Sequence, residues 1–170
     1  MPLSSAALNE FTTVSAWKLL MVEWLSSYFN GQAHVIGANN PVTFPLVRAV
    51  CEQGAPTQPL VGTEIRVDAQ PRTSERGEVV TGYLVSNRVI FWFLVRSAIA
   101  ENAGGNAMKR SQDTAQLLKA ILDNPESRYD LAQKGLSDLH PADPFNVSDE
   151  HYMTHIVRCP ATFIYQVKFA

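Results

Sequence analysis

The sequence predicts an α/β domain of the α+β kind, and three observations carry that prediction. Residues 17–28 and 111–122 place apolar side chains at helical spacing, residues 78–98 form two consecutive β-rich runs, and the chain closes on an alternating segment over 162–169. Buried helical faces recur every three to four residues and half-buried strands every two, so the two patterns separate on periodicity. With 170 residues the chain has the length of one domain, read here as 1–170 with residues 1–14 a loosely attached N-terminal segment. A domain of this size buries about 70% of its unfolded surface, enough for a core without staples.

The first helix follows from Leu8, Phe11, Trp17, Leu20, Met21, Trp24, Leu25 and Tyr28. Thr13 or Ser15 can cap its start by accepting a backbone hydrogen bond, and Asn30-Gly31 stops it. Two tryptophans on one face point to core packing, with a ligand box as the lesser alternative. Residues 32–45 carry Gly37, Asn39, Asn40, Pro41 and Pro45 and read as a connection. Residues 44–51 are rich in β-formers and read as a strand, with Pro45 near its beginning. Residues 53–59 are turn-rich, residues 60–69 alternate weakly through Val61, Ile65 and Val67, and the polar stretch 70–77 reads as an exposed loop.

Two β-rich runs, 78–85 and 88–98, flank Ser86-Asn87 and suggest a hairpin turning there. The second run holds Val89-Ile90-Phe91-Trp92-Phe93-Leu94-Val95, apolar on both alternating faces. Such a strand needs cover on both sides, from a helix on one and from other protein on the other. Residues 101–107, with Gly104-Gly105, read as a flexible loop before an amphipathic helix over 111–122. Ala115, Leu118, Ile121 and Leu122 share its apolar face, Ser111 suits its N-terminus, and Asn124-Pro125 ends it. Residues 128–136 fit either a short strand or a helical turn, and residues 140–144 a stiff turn. The closing segment 153–169 reads as a strand or pair interrupted at Cys159-Pro160.

Composition excludes several classes. Apolar residues make up 46% and charged residues 18%, against the usual quarter charged, which is wrong for a disordered, collagen-like or charged coiled-coil chain. Fourteen basic against sixteen acidic residues give a net charge of −2, without the basic excess of a nucleic-acid binder. The N-terminus has no basic and apolar signal pattern, and residues 89–95 are far too short to span a bilayer. A soluble chain made in the cytoplasm, with no membrane partner, is the expectation. Cys51 and Cys159 form no CxxC pair and read as buried free thiols, with a single disulfide as the alternative.

One tract could carry chemistry: Asp138, His140, Asp143, Asp149, Glu150, His151 and His155. His151 and His155 have the spacing of metal ligands on a helix. On a strand they would lie about 13 Å apart, too far to share one ion. No Gly-x-Ser-x-Gly elbow or phosphate loop is present, so no catalytic residue, cofactor or metal site is expected. Charge is segregated: residues 123–150 hold seven acids and two bases, while Arg66, Arg72, Arg76, Arg88, Arg96, Lys109 and Arg110 lie elsewhere. A solvated surface explains this simply. The sharper reading is a dipolar subunit whose acidic side meets the basic side of a copy, through Arg72, Arg76, Lys109, Arg110, Asp143 and Glu150.

Taken together, the order of elements resembles the bacteriophage tail-terminator and minor tail proteins, the tail-completion family. The likeness rests on the leading helix, Phe44-Pro45-Leu46-Val47, the hairpin with its long apolar strand, Lys109-Arg110-Ser111 leading a helix, Gly135-Leu136-Ser137, and the closing strand 162–169. It covers about residues 15–169; the longer region 60–83 and the acidic tract around Asp143 depart from the pattern. The resemblance implies a mostly antiparallel, curved sheet with helices packed on one face, and a non-enzymatic protein. It further implies a ring, hexameric in that family, that ends the tail tube and joins it to the head connector. Its partners would be copies of itself, the tail-tube protein and the connector, and its destination the virion tail. The competing readings are a small metal-dependent hydrolase using the tract from His140 to His155, and a ligand-binding α/β module with a pocket against Trp17, Trp24 and Trp92.

Overall fold

Three strands of 17 residues set the architecture. A computed structural model describes residues 14–29, 33–35, 41–43, 46–49, 63–79, 82–99, 104–147 and 151–168. In chain order these form α1 (Val14–Phe29), β1 (Ala33–Val35), β2 (Pro41–Thr43), β3 (Leu46–Ala49), β4 (Thr63–Val79) and β5 (Gly82–Ala98). Then follow α2 (Gly104–Asp123), α3 (Pro125–Gln133), β6 (Leu136–Ser137), β7 (Phe145–Asn146) and β8 (Tyr152–Lys168). The main sheet runs β3-β4-β5-β8-β6, with β7 also pairing β8; only β3 and β4 are parallel. Among the described residues no helix is long and apolar enough to cross a membrane.

Alternation along β5 defines the two faces. Val89, Phe91, Phe93 and Val95 are fully buried, facing the same way as Ile65 and Val67 of β4 and Val157 and Cys159 of β8. Against that face pack Trp17, Met21, Leu25 and Phe29 of α1 and Ala115, Leu118 and Leu122 of α2. The fold is therefore α+β, a mostly antiparallel sheet with helices on one face. The helical periods of the sequence locate this core well, although Phe29 rather than Tyr28 is buried at the end of α1. Leu8, Phe11, Thr13, Asn30 and Gly31 lie outside the described residues, as do the turn-rich residues 53–59 and Cys51.

Several expectations are corrected. The connection at 32–45 contains a small antiparallel pair, β1 with β2. The polar stretch 70–77 is not a loop but lies in the second half of β4, where backbone pairing to β5, with a register shift between Pro71 and Ser74, overrides the lack of apolar residues. The hairpin closes at the Val79–Gly82 pair, and Ser86 and Asn87 are ordinary ladder residues opposite Glu75 and Ser74. Gly104-Gly105 begins α2 instead of preceding it, so Ser111 is no cap. Its hydroxyl donates to the Met108 carbonyl one turn back, at 3.0 Å.

Strand β8 also runs through Cys159-Pro160 without a break. His140 N–H donates to the Pro160 carbonyl at 3.0 Å, so that carbonyl points away from β5. The N and C=O of one strand residue point to the same side. Pro160 thus lacks its N–H on the side facing 138–144, and the ladder to β5 loses nothing. Those residues are not a tight turn but a strap along the β8 edge, where Ala142 N–H also donates to the Arg158 carbonyl at 2.8 Å.

The ambiguous segment 128–136 divides into α3 and β6. Asn124-Pro125 both ends α2 and starts α3, with Asn124 Oδ1 accepting from Glu126 N–H at 2.9 Å and Pro125 in the first helical turn. Trp24 Nε1 donates to Asp130 Oδ2 at 2.6 Å and ties α3 to α1. Gly135, at φ +93°, turns the chain from α3 into β6 directly beneath Trp17. A Cβ there would meet the rim of the Trp17 indole at 3.2 Å. Gly135→Ala combines an unfavourable φ with a crowded core ring, and a loss of about 1–3 kcal/mol is expected in urea unfolding.

Candidate functional site

The sheet face turned away from the helices carries the polar chemistry of the molecule. At one end Glu64, fully buried, accepts from Arg66 Nε at 2.7 Å and lies 3.5 Å from Arg96 Nη1. The Arg96 guanidinium in turn stacks 3.8 Å from the centre of the Tyr152 ring. Next along the face, Trp92, Leu94 and Ile156 are half-buried. This face is therefore less covered within the chain than the helix side, where the expected helical cover of residues 89–95 is present.

Beyond Trp92 and Ile156, around the midpoint of the β5–β8 ladder, lies a cavity of about 440 Å³. Strand alternation explains its lining. Leu139 of the strap is 2% exposed and joins the core, while its neighbours Asp138 and His140 line the cavity. There they join Arg88 and Ile90 of β5 and Arg158, Pro160 and Thr162 of β8. Register orders these side chains in rows, Ile90 opposite Pro160 and Arg88 opposite Thr162. Asp138 stands at φ +54°, a left-handed conformation that aspartate tolerates better than most residues.

The predicted interface residues lie on separate elements, as a head-to-tail contact between copies allows. Lys109 is exposed on α2 and pairs with Asp113 at 2.9 Å, and Arg110 beside it is half-buried. Asp143, on the strap, lies 3.3 Å from Lys119, which also pairs with Asp123 at 3.5 Å. Hydrogen bonding and charge from Asp143 hold the Lys119 ammonium above its ordinary pKa. Asp123 further accepts from Arg128 Nη2 at 2.6 Å. Two acids of the tract, Asp123 and Asp143, are thus matched locally by Lys119 and Arg128. Arg76 pairs with Val85 far along the β4–β5 ladder, and Arg72 falls at the register shift between Pro71 and Ser74. Glu150 lies outside the described residues, as does Asp149.

The histidine tract is dispersed as well. His140 borders the cavity on the open face, whereas His155 faces α2, where its Nδ1 lies 3.0 Å from Ser111 Oγ. His151 immediately precedes β8, four residues before His155. Among the described residues no three His, Cys, Asp or Glu side chains gather as a metal site. Nor do the tryptophans share a pocket, since Trp17 and Trp24 are in the helix-side core and Trp92 is on the opposite face. Cys159 is a buried free thiol, pushed up to about 12 by burial and so poorly nucleophilic.

Burial lowers the His155 pKa below its ordinary 6.5. Below that pH the unfolded chain takes up a proton that the folded imidazole refuses, so stability falls as pH drops from about 6.5 toward the lowered value. Above 6.5 both states are neutral and the contribution is level. Thermal midpoints of the native chain should follow this slope, and His155→Gln should remove its share of it.

In comparisons with known proteins, no family model matches this chain and no curated protein matches it in sequence.

Proposed function

We propose that this chain is a non-enzymatic phage or prophage tail assembly protein, whose copies close into a ring that ends the tail tube and meets the head connector. The observation that supports this reading most is a mismatch of lengths. Strands β4, β5 and β8 each have 17 residues, roughly 55 Å at 3.3 Å per residue. The longest helix, α2, has 20 residues, about 30 Å at 1.5 Å per residue. Trp17 of α1 meets Phe163 at 5.0 Å between ring centroids, so the helix layer reaches the Asn87–Phe163 row and five further pairs, about 17 Å of ladder, run on beyond it. An antiparallel ribbon of that length is a natural surface for neighbouring subunits, and the α+β layering agrees with what the resemblance implies.

The far ladder can be removed without deleting any residue of the described core. Ser74 and Asn87 face each other in the β4–β5 register, so residues 75–86 can be replaced by Asn-Gly, a turn suited to two-residue hairpins. Ending β8 after Phe163 shortens the third strand to match. The shortened chain should keep its cooperative unfolding and lose ring formation and tube capping. Assembly undiminished by the shortening would overturn the role given to the ribbon.

A further inference from the structure

An outer strand leaves backbone N–H and C=O groups that can pair with another chain, and folded sheets guard such edges. In this sheet the guards stop partway along the ladder. On β8 the Pro160 carbonyl faces the strap, where His140 N–H bonds it, so its missing N–H lies on the outer side too. Alternation puts the N–H and C=O of Ile164, Gln166 and Lys168 on that same side, and those of Cys159 toward Phe91 of β5. Carried across the register, the odd residues of β5 bond β8 and the even ones bond β4. The outer side of β4 therefore belongs to Ala69 and Pro71 and, past the register shift, to Ser74, Arg76 and Glu78. Near the helices this edge is closed: β3 covers residues 64–67, Asp68 Oδ1 accepts the Ala69 N–H at 2.9 Å, and Pro71 has no N–H to offer. The β8 edge is closed likewise by β7, the strap and β6 as far as Phe163. Beyond these points, among the described residues, no strand pairs the outer side of 74–78 or of 164–168.

We propose that these two open edges pair with each other between copies, residues 164–168 of one chain joining residues 74–78 of the next. The edges lie on opposite sides of one three-stranded ribbon. A copy that uses one still offers the other, which is the head-to-tail arrangement. The edges also stand level: Glu75, Ser86 and Ile164 share one row, and Val79, Gly82 and Lys168 another. Turning a copy about an axis along the strands therefore brings edge to edge without a rise, and a closed ring allows no rise. Both β4 and β8 run antiparallel to β5, so the new pairing is parallel. The contact rests on the ring reading of this chain and names the surface that joins its subunits.

Two full-length chains test it, one with Glu75→Cys and one with Ile164→Cys, both with Cys51→Ser and with the buried Cys159 kept. Mixed and oxidised with copper phenanthroline, they should give a disulfide-linked dimer that neither chain gives alone. Adding Gln166→Pro to the Ile164→Cys chain removes one outward N–H, as Pro160 does natively, and should cut the dimer about tenfold. Gln166→Ala keeps the N–H and should leave the dimer unchanged. Arg76→Pro in the Glu75→Cys chain should repeat the loss from the other edge, and thermal midpoints show that each chain is folded. No dimer in the mixture, equal dimer from either chain alone, or a dimer indifferent to both prolines would overturn the pairing. Electron micrographs of the unsubstituted chain with tail tubes separate the two readings. Rings without cross-linking keep the ring and refute the edges, whereas cross-linking without rings keeps the edges and refutes the ring.

Discussion

Phe91→Ala is expected to lower unfolding stability by about 3–5 kcal/mol, read as a shift in the denaturation midpoint at unchanged slope. The Phe91 ring is fully buried and stacks on Phe93 at 6.0 Å between centroids. It stands at the centre of the sheet, between Ala69 of β4 and Cys159 of β8. These neighbours are small or fixed in strands, so they cannot collapse into the space a lost phenyl leaves. Leu94→Ala removes a side chain on the opposite, half-buried face of the same strand and should cost markedly less. Equal losses at the two positions would show that the open face is packed as tightly as the helix side.

The second large effect is expected at Glu64. Alanine there leaves the Arg66 and Arg96 guanidiniums, 20% and 15% exposed in their side chains, without the carboxylate between them. Removing one member of a buried ionic cluster typically costs about 3–5 kcal/mol, because an uncompensated charge stays in a poorly hydrated place. Glu64→Gln keeps the acceptor oxygen and should lose less. Combining Glu64→Ala with Arg96→Met removes both charges of one contact, and the pair should cost less than the sum of the single changes. Strict additivity in that cycle would mean that the two groups do not interact.

Much of this fold is legible in the sequence where burial follows a period. The stripes Trp17-Met21-Trp24 and Ala115-Leu118-Leu122 are core faces in the structure, because a helix with one buried side has no other way to distribute its apolar residues. The long hairpin is harder to read. Residues 72–78 contain no apolar side chain, and their strand is held by ladder hydrogen bonds that any residue type can make. Ser86-Asn87 looks like a turn by composition, yet pairing on both sides keeps it extended. The cavity escapes a linear reading for a different reason. Arg88, Asp138, His140 and Arg158 come from three segments that meet only through register, and the single local hint is Leu139 buried between two polar neighbours. Conversely, the acidic tract reads as a strong charge block along the chain, whereas in space Lys119 and Arg128 answer Asp123 and Asp143.

The proposed ring is open to electron microscopy of the purified chain mixed with tail tubes, because ring closure can require the tube as template. Rings of uniform diameter, or tubes capped at one end, are the expected result. Micrographs with neither rings nor capped tubes, at concentrations where the chain is folded, would overturn the proposed role.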